Sequence, residues 1–192
     1  MKYSDDQLIN RVESHAEGFT GWKKGVYLVA VRSNADVLDA FDDKAYLFVC
    51  AADGQRPDFK QVATCTTNAG SEGLKKFDSK YGLPGCAVLK ANHIVYNSHT
   101  LGKHKGQYNA YIQTKGFPYS RDKDRDNKAE TNPPWQSDVI KANVHRASAT
   151  KTSTINFNWS IACVVMNNPN EFDAFMAFMA GRPLSLCILQ EF

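Results

Sequence analysis

Two side chains in this sequence could carry out chemistry together: Cys163 and, eighteen positions before it, His145. A thiol becomes a strong nucleophile when a nearby imidazole takes its proton and lowers its pKa. Residues 155–159 alternate apolar and polar side chains, which predicts a strand with one buried face. The run 139–144 predicts another strand that leads into His145, and Cys163 opens the apolar run 164–166. We therefore expect the thiol at a strand–loop junction and the imidazole on a neighbouring strand.

The residues around both side chains resemble a known pair of motifs. Asn143-Val144-His145-Arg146-Ala147 is similar to N-I-H-R-A, and Trp159-Ser160-Ile161-Ala162-Cys163-Val164-Val165 is similar to W-S-A-G-C-Q-V. Both occur in short, phage-associated relatives of the L,D-transpeptidases (the YkuD-type fold), whose broader signature is a histidine followed by Ser/Thr-His-Gly-Cys. This sequence departs from that signature, because Ile161 replaces the second histidine and Ala162 replaces the glycine.

The resemblance implies acyl transfer on peptidoglycan stem peptides, with no cofactor. Cys163 would be the nucleophile, and His145 would act first as base and then as acid. The oxyanion and orienting residues would be Ala162, Ser160 and Arg146. The carbonyl of Arg146 would orient the histidine ring, and its side chain could instead bind a substrate carboxylate. The resemblance to phage lytic enzymes favours hydrolysis over transfer to an amine.

Two further residues, His104 and Trp159, are predicted to bind substrate. His104 begins His-Lys-Gly-Gln-Tyr-Asn-Ala, which resembles a His-Lys-Gly-x-Tyr-x-Ala motif of the same relatives. The alternative for His104 is an ordinary surface position.

Two other functions remain open. The chain could be a non-catalytic virion or wall-binding module on the same fold, because a lone cysteine near an apolar strand is usually a packing residue. An unrelated papain-like or amidase-type peptidase would place its cysteine at a helix N-terminus, whereas the segment before Cys163 is strand-like. The first alternative is the stronger one.

Metal sites find little support in the sequence. His93, His99 and His104 are spaced by six and five residues, which fits no usual ligand pair. Asp122, Asp124 and Asp126 have the alternating spacing of a calcium loop. Asn127 and Pro133 stand where the glycine and the bidentate glutamate of such a loop would be, so a solvated loop is favoured and calcium is only a weak candidate.

Composition sets the remaining limits. The 192 residues fit one domain, spanning 1–192, and a net charge of +3 without a basic stripe gives little support for nucleic-acid binding. No apolar run approaches the roughly 20 residues of a membrane span, and the N-terminus lacks a secretory signal. The five cysteines show no paired spacing, which favours a reduced protein made in a cytoplasm. The expected partners are peptidoglycan peptides and phage virion proteins, and the expected place of action is the bacterial cell wall.

The helices and strands predicted around the site indicate a mainly β (α+β) fold. An N-terminal helix is predicted from the capping box at Ser4 and Gln7, and a C-terminal helix from Asn168, Pro169 and Glu171. About eight short strands predict an antiparallel β-sandwich or partly closed barrel. The histidine-rich segment between the strands at 86–90 and 107–113 is predicted to be a loop.

Overall fold

The computed structural model describes residues 2–192, apart from the side chain of Tyr81, as a mainly β protein with three helices and a large mixed sheet. The helices are α1 (Asp5–His15), α2 (Ser71–Tyr81) and α3 (Pro169–Met179). The strands are β1 (Gly25–Arg32), β2 (Asp43–Cys50), β3 (Asp58–Thr66), β4 (Cys86–Leu89), β5 (His93–His104), β6 (Tyr108–Gln113), β7 (Phe117–Asp122), β8 (Gln136–Asp138), β9 (Val144–Arg146), β10 (Val164–Met166) and β11 (Leu184–Gln190).

The main sheet closes on itself in the order β1-β11-β5-β6-β9-β10-β3-β2, because β1 pairs with both β11 and β2. The pairs β1–β11 and β9–β10 are parallel and the others are antiparallel. The predicted mainly β class, with a helix near each end, is confirmed. The predicted antiparallel arrangement is only partly correct, because β10 runs parallel to β9 and β11 runs parallel to β1. A separate three-stranded sheet has the order β4-β7-β8.

The core explains why β1 is apolar along almost its whole length. Val26, Leu28 and Ala30 face the inside of the main sheet, whereas Tyr27 and Val29 face outward and pack with the buried side of α1. A strand buried on both faces loses the simple alternation of apolar and polar residues.

Helix α3 supports the region of the site. Its side chains Phe172, Phe175 and Met179 lie in the same core as Val144 of β9 and Val164 of β10. The caps predicted for α1 and α3 are present: Ser4 and Gln7 form a capping box, and Asn168 accepts a hydrogen bond from the backbone N–H of Asn170. No helix in the described part of the chain is both long and apolar enough to cross a membrane.

Three sequence predictions were wrong. The histidine-rich segment is not a loop but the long strand β5, in which His99 and His104 are buried. Residues 155–159 are not a strand; they form an irregular loop with Asn156 buried and Ile155, Phe157 and Trp159 exposed. The strand predicted over 139–144 is irregular up to Asn143, and β9 begins only at Val144.

Candidate active site

Two short parallel strands bring His145 and Cys163 to the same face of the sheet. Val144 pairs with Val164 and His145 with Val165, and the N–H of Val164 extends this pairing by donating to the carbonyl of Asn143 at 3.0 Å. Val144 and Val164 face the core. Because side chains alternate along a strand, His145, Cys163 and Val165 point to the opposite face.

Beside the sulfur lies an open groove of about 680 Å³, here called the Cys163 groove. Its walls include His104, Lys105, Asn143, Trp159, Ala162 and Cys163. The groove lies between the β5–β6 hairpin, the small sheet and the loop that precedes β10. Cys163 lines the groove but is largely buried, with 9% of its surface exposed.

The His145 ring is fixed by the backbone that follows it. Its Nδ1 lies 2.9 Å from the carbonyl oxygen of Arg146, which can only accept, so Nδ1 carries the proton. Its Nε2 is then the basic nitrogen, and this atom is buried without a hydrogen-bond partner among the described residues. Burial, followed by the neighbouring His104, lowers the pKa of His145 to about 3. The ring is therefore neutral and has an unused lone pair.

Cys163 is held by the segment before β9. The N–H of Asn143 donates to Sγ at 3.3 Å, and the thiol lies 3.5 Å from the carbonyl oxygen of Lys141. Within residues 2–192, Cys163 forms no hydrogen bond with His145. Burial raises the pKa of Cys163 to about 11, against the opposing effect of N–H groups and of Lys105. The expected lowered pKa is therefore not found, and the resting site holds a neutral thiol and a neutral imidazole.

His104 lies between the groove and His145. The two rings stack with centroids 4.0 Å apart and planes inclined by 27°. Asn143 accepts a hydrogen bond from the N–H of Gln113 through Oδ1, so its Nδ2 faces His104 Nδ1 at 3.2 Å. Nδ1 of His104 must accept this bond, which leaves the proton of its neutral ring on Nε2. Burial and the charge of Lys105 also lower the pKa of His104 and favour this neutral form.

The His-Lys-Gly motif forms the tight turn of the β5–β6 hairpin. Lys105 and Gly106 both adopt positive φ, and the N–H of Gln107 donates to the carbonyl of His104 at 2.9 Å. This tight turn places His104 and Tyr108 side by side near His145. The hydroxyl of Tyr108 lies 3.1 Å from the Arg146 carbonyl and 3.2 Å from His145 Nδ1. Sequence analysis missed Tyr108 as a site residue, although the motif contains it.

Ser160 and Ala162 shape the turn before the thiol. The Ser160 hydroxyl donates to the carbonyl of Cys163 at 2.9 Å, and the carbonyl of Ser160 accepts from Gly70 at 3.1 Å. Ser160 therefore fixes the backbone of this turn. The N–H groups of Ala162 and Cys163 donate to no carbonyl in the described part of the chain. The Ala162 N–H instead interacts with the Cys163 thiol and opposes the rise of its pKa.

The two remaining predicted site residues have different positions. Trp159 is 41% exposed and lines the Cys163 groove. The side chain of Arg146 instead stacks over Tyr108 at 4.4 Å and lies 4.0 Å from Asp173. It lines a neighbouring depression of about 410 Å³, so only its carbonyl contributes to the site.

The weak calcium candidate is not supported. Asp122 accepts from the N–H groups of Asp124 and Glu130, Asp124 from that of Asp126, and Asp126 from that of Lys128. The three carboxylates thus stabilise successive turns of their own loop. Among residues 2–192 no group of three or more potential metal-binding side chains converges.

Comparisons with known proteins find no match to this chain among family models, curated proteins or solved structures. The resemblance to the L,D-transpeptidases thus depends on the short motifs around His145 and Cys163.

Proposed function

We propose that this protein is a cysteine-dependent acyl-transfer enzyme of the L,D-transpeptidase type that hydrolyses stem peptides of peptidoglycan. One observation carries the proposal: the His145 ring is oriented through Nδ1 so that its basic Nε2 is buried without a partner among the described residues, on the same face of the sheet as a groove-lining thiol.

The proposed reaction begins with a neutral pair. The thiol leaves the carbonyl of Lys141, gives its proton to His145 Nε2, and Sγ attacks the carbonyl carbon of the bound peptide. The C–N bond then breaks, the amine leaves with the proton from His145, and a thioester remains on Cys163. Water, activated by the same imidazole, attacks the thioester and releases the acid and the free thiol.

Charge that develops on the carbonyl oxygen needs donors in the groove. The candidates are the N–H of Cys163, the Nε2–H of His104 and, once the thiol has moved to attack, the N–H of Ala162. Removing one such donor typically lowers the rate by about 10²–10³. The fixed tautomer of His104 supports its role as a donor at the groove wall, and Trp159 supplies an apolar surface for substrate.

Purified peptidoglycan sacculi test this function. Wild-type protein should release new muropeptides, detected by mass spectrometry, whereas Cys163→Ala and His145→Gln should release none. Cys50→Ala, which removes a buried thiol outside the groove, is the matched control and should behave as wild type. Unchanged muropeptides with folded wild-type protein would refute the enzymatic proposal.

A second candidate is a non-catalytic virion or wall-binding module. It is favoured by the raised pKa of Cys163 and by the lack of a resting hydrogen bond between Cys163 and His145. This module would cosediment with sacculi equally well as wild type and as Cys163→Ala, and neither would change the muropeptides.

A further inference from the structure

The Cys163 groove is lined by cations without an acidic counterpart. Lys103, Lys105, Arg121 and Lys141 line it, and no aspartate or glutamate is among the described lining residues. The chain as a whole has nearly balanced charge, with 23 Lys and Arg against 20 Asp and Glu. The overall composition therefore does not explain why four cationic side chains line a single groove.

These cations lack carboxylate partners in the described part of the chain. None of the four takes part in an ion pair within the described chain. Arg121 donates through one terminal nitrogen to the carbonyl of Gly85 at 2.9 Å and lies over the Tyr119 ring, but its Nε is buried and has no partner among the described residues. The adjacent Asp122 forms no ion pair with it among the described residues, and its carboxylate accepts from the N–H groups of Asp124 and Glu130. Like charges gathered at a concave surface create a positive potential that favours an anionic ligand.

The rest of the lining indicates what kind of anion fits. Ile112, Ile140, Ile161 and Trp159 give the groove an apolar surface between the cations. A strongly hydrated phosphate chain would leave this apolar surface uncovered. A peptide with small aliphatic side chains and free carboxylates would cover it and would pair with the cations at the same time.

We propose that the Cys163 groove selects peptides with more than one free carboxylate and discriminates against the same peptides when these carboxylates are amidated. The identity of the ligand as a stem peptide rests on the proposed function, whereas the preference for carboxylates rests on the charges of the groove. Amidation removes the negative charge while it keeps the size and shape of the peptide.

Calorimetric titration of the Cys163→Ala protein tests the preference without turnover. The probes are L-Ala-γ-D-Glu-diaminopimelate-D-Ala with free carboxylates and the same peptide with the side carboxylates of Glu and diaminopimelate amidated. Each exposed charge pair is worth about two- to fivefold in affinity, so the free peptide should bind roughly tenfold more tightly at low salt. The difference should shrink as salt screens the cations.

A matched pair of variants locates the effect. Lys105→Gln/Lys141→Gln should lose most of the preference, whereas Lys2→Gln/Lys24→Gln, which removes two exposed lysines outside the groove, should keep it. Circular dichroism establishes that both double variants fold, and the salt dependence of the parent protein gives a measurement that needs no lysine variant.

The outcomes separate the two proposals. Equal, salt-independent binding of both peptides would overturn the carboxylate preference, even if wild-type protein cleaved them. A single-stranded oligonucleotide that bound more tightly than the free peptide would also overturn it. Charge-selective binding without cleavage by wild type would support the preference and refute the enzymatic function alone.

Discussion

The resting ionisation of Cys163 gives the sharpest test of the site's electrostatics. Burial raises the pKa of this thiol to about 11 from an ordinary value of 9.0. At pH 7 the thiolate fraction is then about 10⁻⁴, compared with about 10⁻² for an unperturbed thiol. Since only the thiolate reacts with iodoacetamide, Cys163 should be alkylated about a hundredfold more slowly than an exposed thiol at that pH.

Alkylation of the Cys163 peptide can be followed by mass spectrometry from pH 6 to pH 10. The logarithm of the rate should rise by about one per pH unit over this range, without a plateau. His145→Ala should change the rate little, because the imidazole is neutral, whereas Lys105→Gln should slow it, because the charge of Lys105 lowers the pKa of Cys163. A rate that levels off below pH 8, and that falls in His145→Ala, would indicate a preformed thiolate–imidazolium pair and would refute this reasoning.

Three further predictions concern stability. Burial lowers the pKa of His99 to about 4 from 6.5. The folded protein therefore binds a proton at His99 less tightly than the unfolded protein does. The free energy of unfolding should fall as the pH drops from 6.5 to 4, by at most about 3 kcal/mol. Urea titrations at pH 7 and pH 4 should show a smaller loss for His99→Gln, and an equal loss would contradict the assignment. Gly70→Ala should destabilise the protein by about 1–3 kcal/mol in the same assay, because a Cβ there would lie 2.1 Å from the carbonyl oxygen of Phe157, and an unchanged midpoint would contradict that packing. Addition of calcium or of EDTA should leave Tm unchanged, since the carboxylates of Asp122, Asp124 and Asp126 accept hydrogen bonds from backbone N–H groups. A rise in Tm on addition of calcium would show that these carboxylates do bind the ion.

Local signals made part of the fold predictable. Helices α1 and α3 begin at side chains that satisfy the first backbone N–H groups, and such caps depend only on neighbouring residues. Helix α2 lacks this signal: its N-cap is Gly70, which has no side chain to accept a hydrogen bond. Its first turn instead receives partners from distant segments, since the N–H of Glu72 donates to Phe157 and that of Ser71 to Asp39. Sequence patterns could not show these contacts.

The loop before Cys163 was mispredicted for a related reason. Alternation over 155–159 predicted buried apolar side chains, but the loop is held by polar contacts. Asn156 donates through its backbone to Asp39 at 2.7 Å and through its side chain to Asn68 at 3.2 Å, and is 1% exposed. Phe157 and Trp159 are left at the surface, and Trp159 reaches the groove. The prediction that Trp159 lies at the site was useful, although the strand that was to place it there does not exist.

In the candidate site, too, features set by neighbouring residues could be predicted from the sequence, whereas features set by distant segments could not. The motifs predicted the carbonyl of Arg146 beside the His145 ring, and the strand pairing places His145 and Cys163 on neighbouring strands. The neutral state of the pair did not, because it depends on burial by segments far apart in sequence. The stacking of His104 on His145 likewise depends on the path of β5, which the sequence pattern did not reveal.

A covalent thioester on Cys163 is the most direct test of the central claim. Wild-type protein incubated with the free stem tetrapeptide is quenched in acid within milliseconds to seconds, and intact-mass and peptide-mapping measurements are made. The proposed mechanism predicts a mass increase equal to the acyl part of the peptide, located on Cys163 and absent from Cys163→Ala. Cleavage of the peptide without any such adduct, or an adduct on another residue, would contradict it.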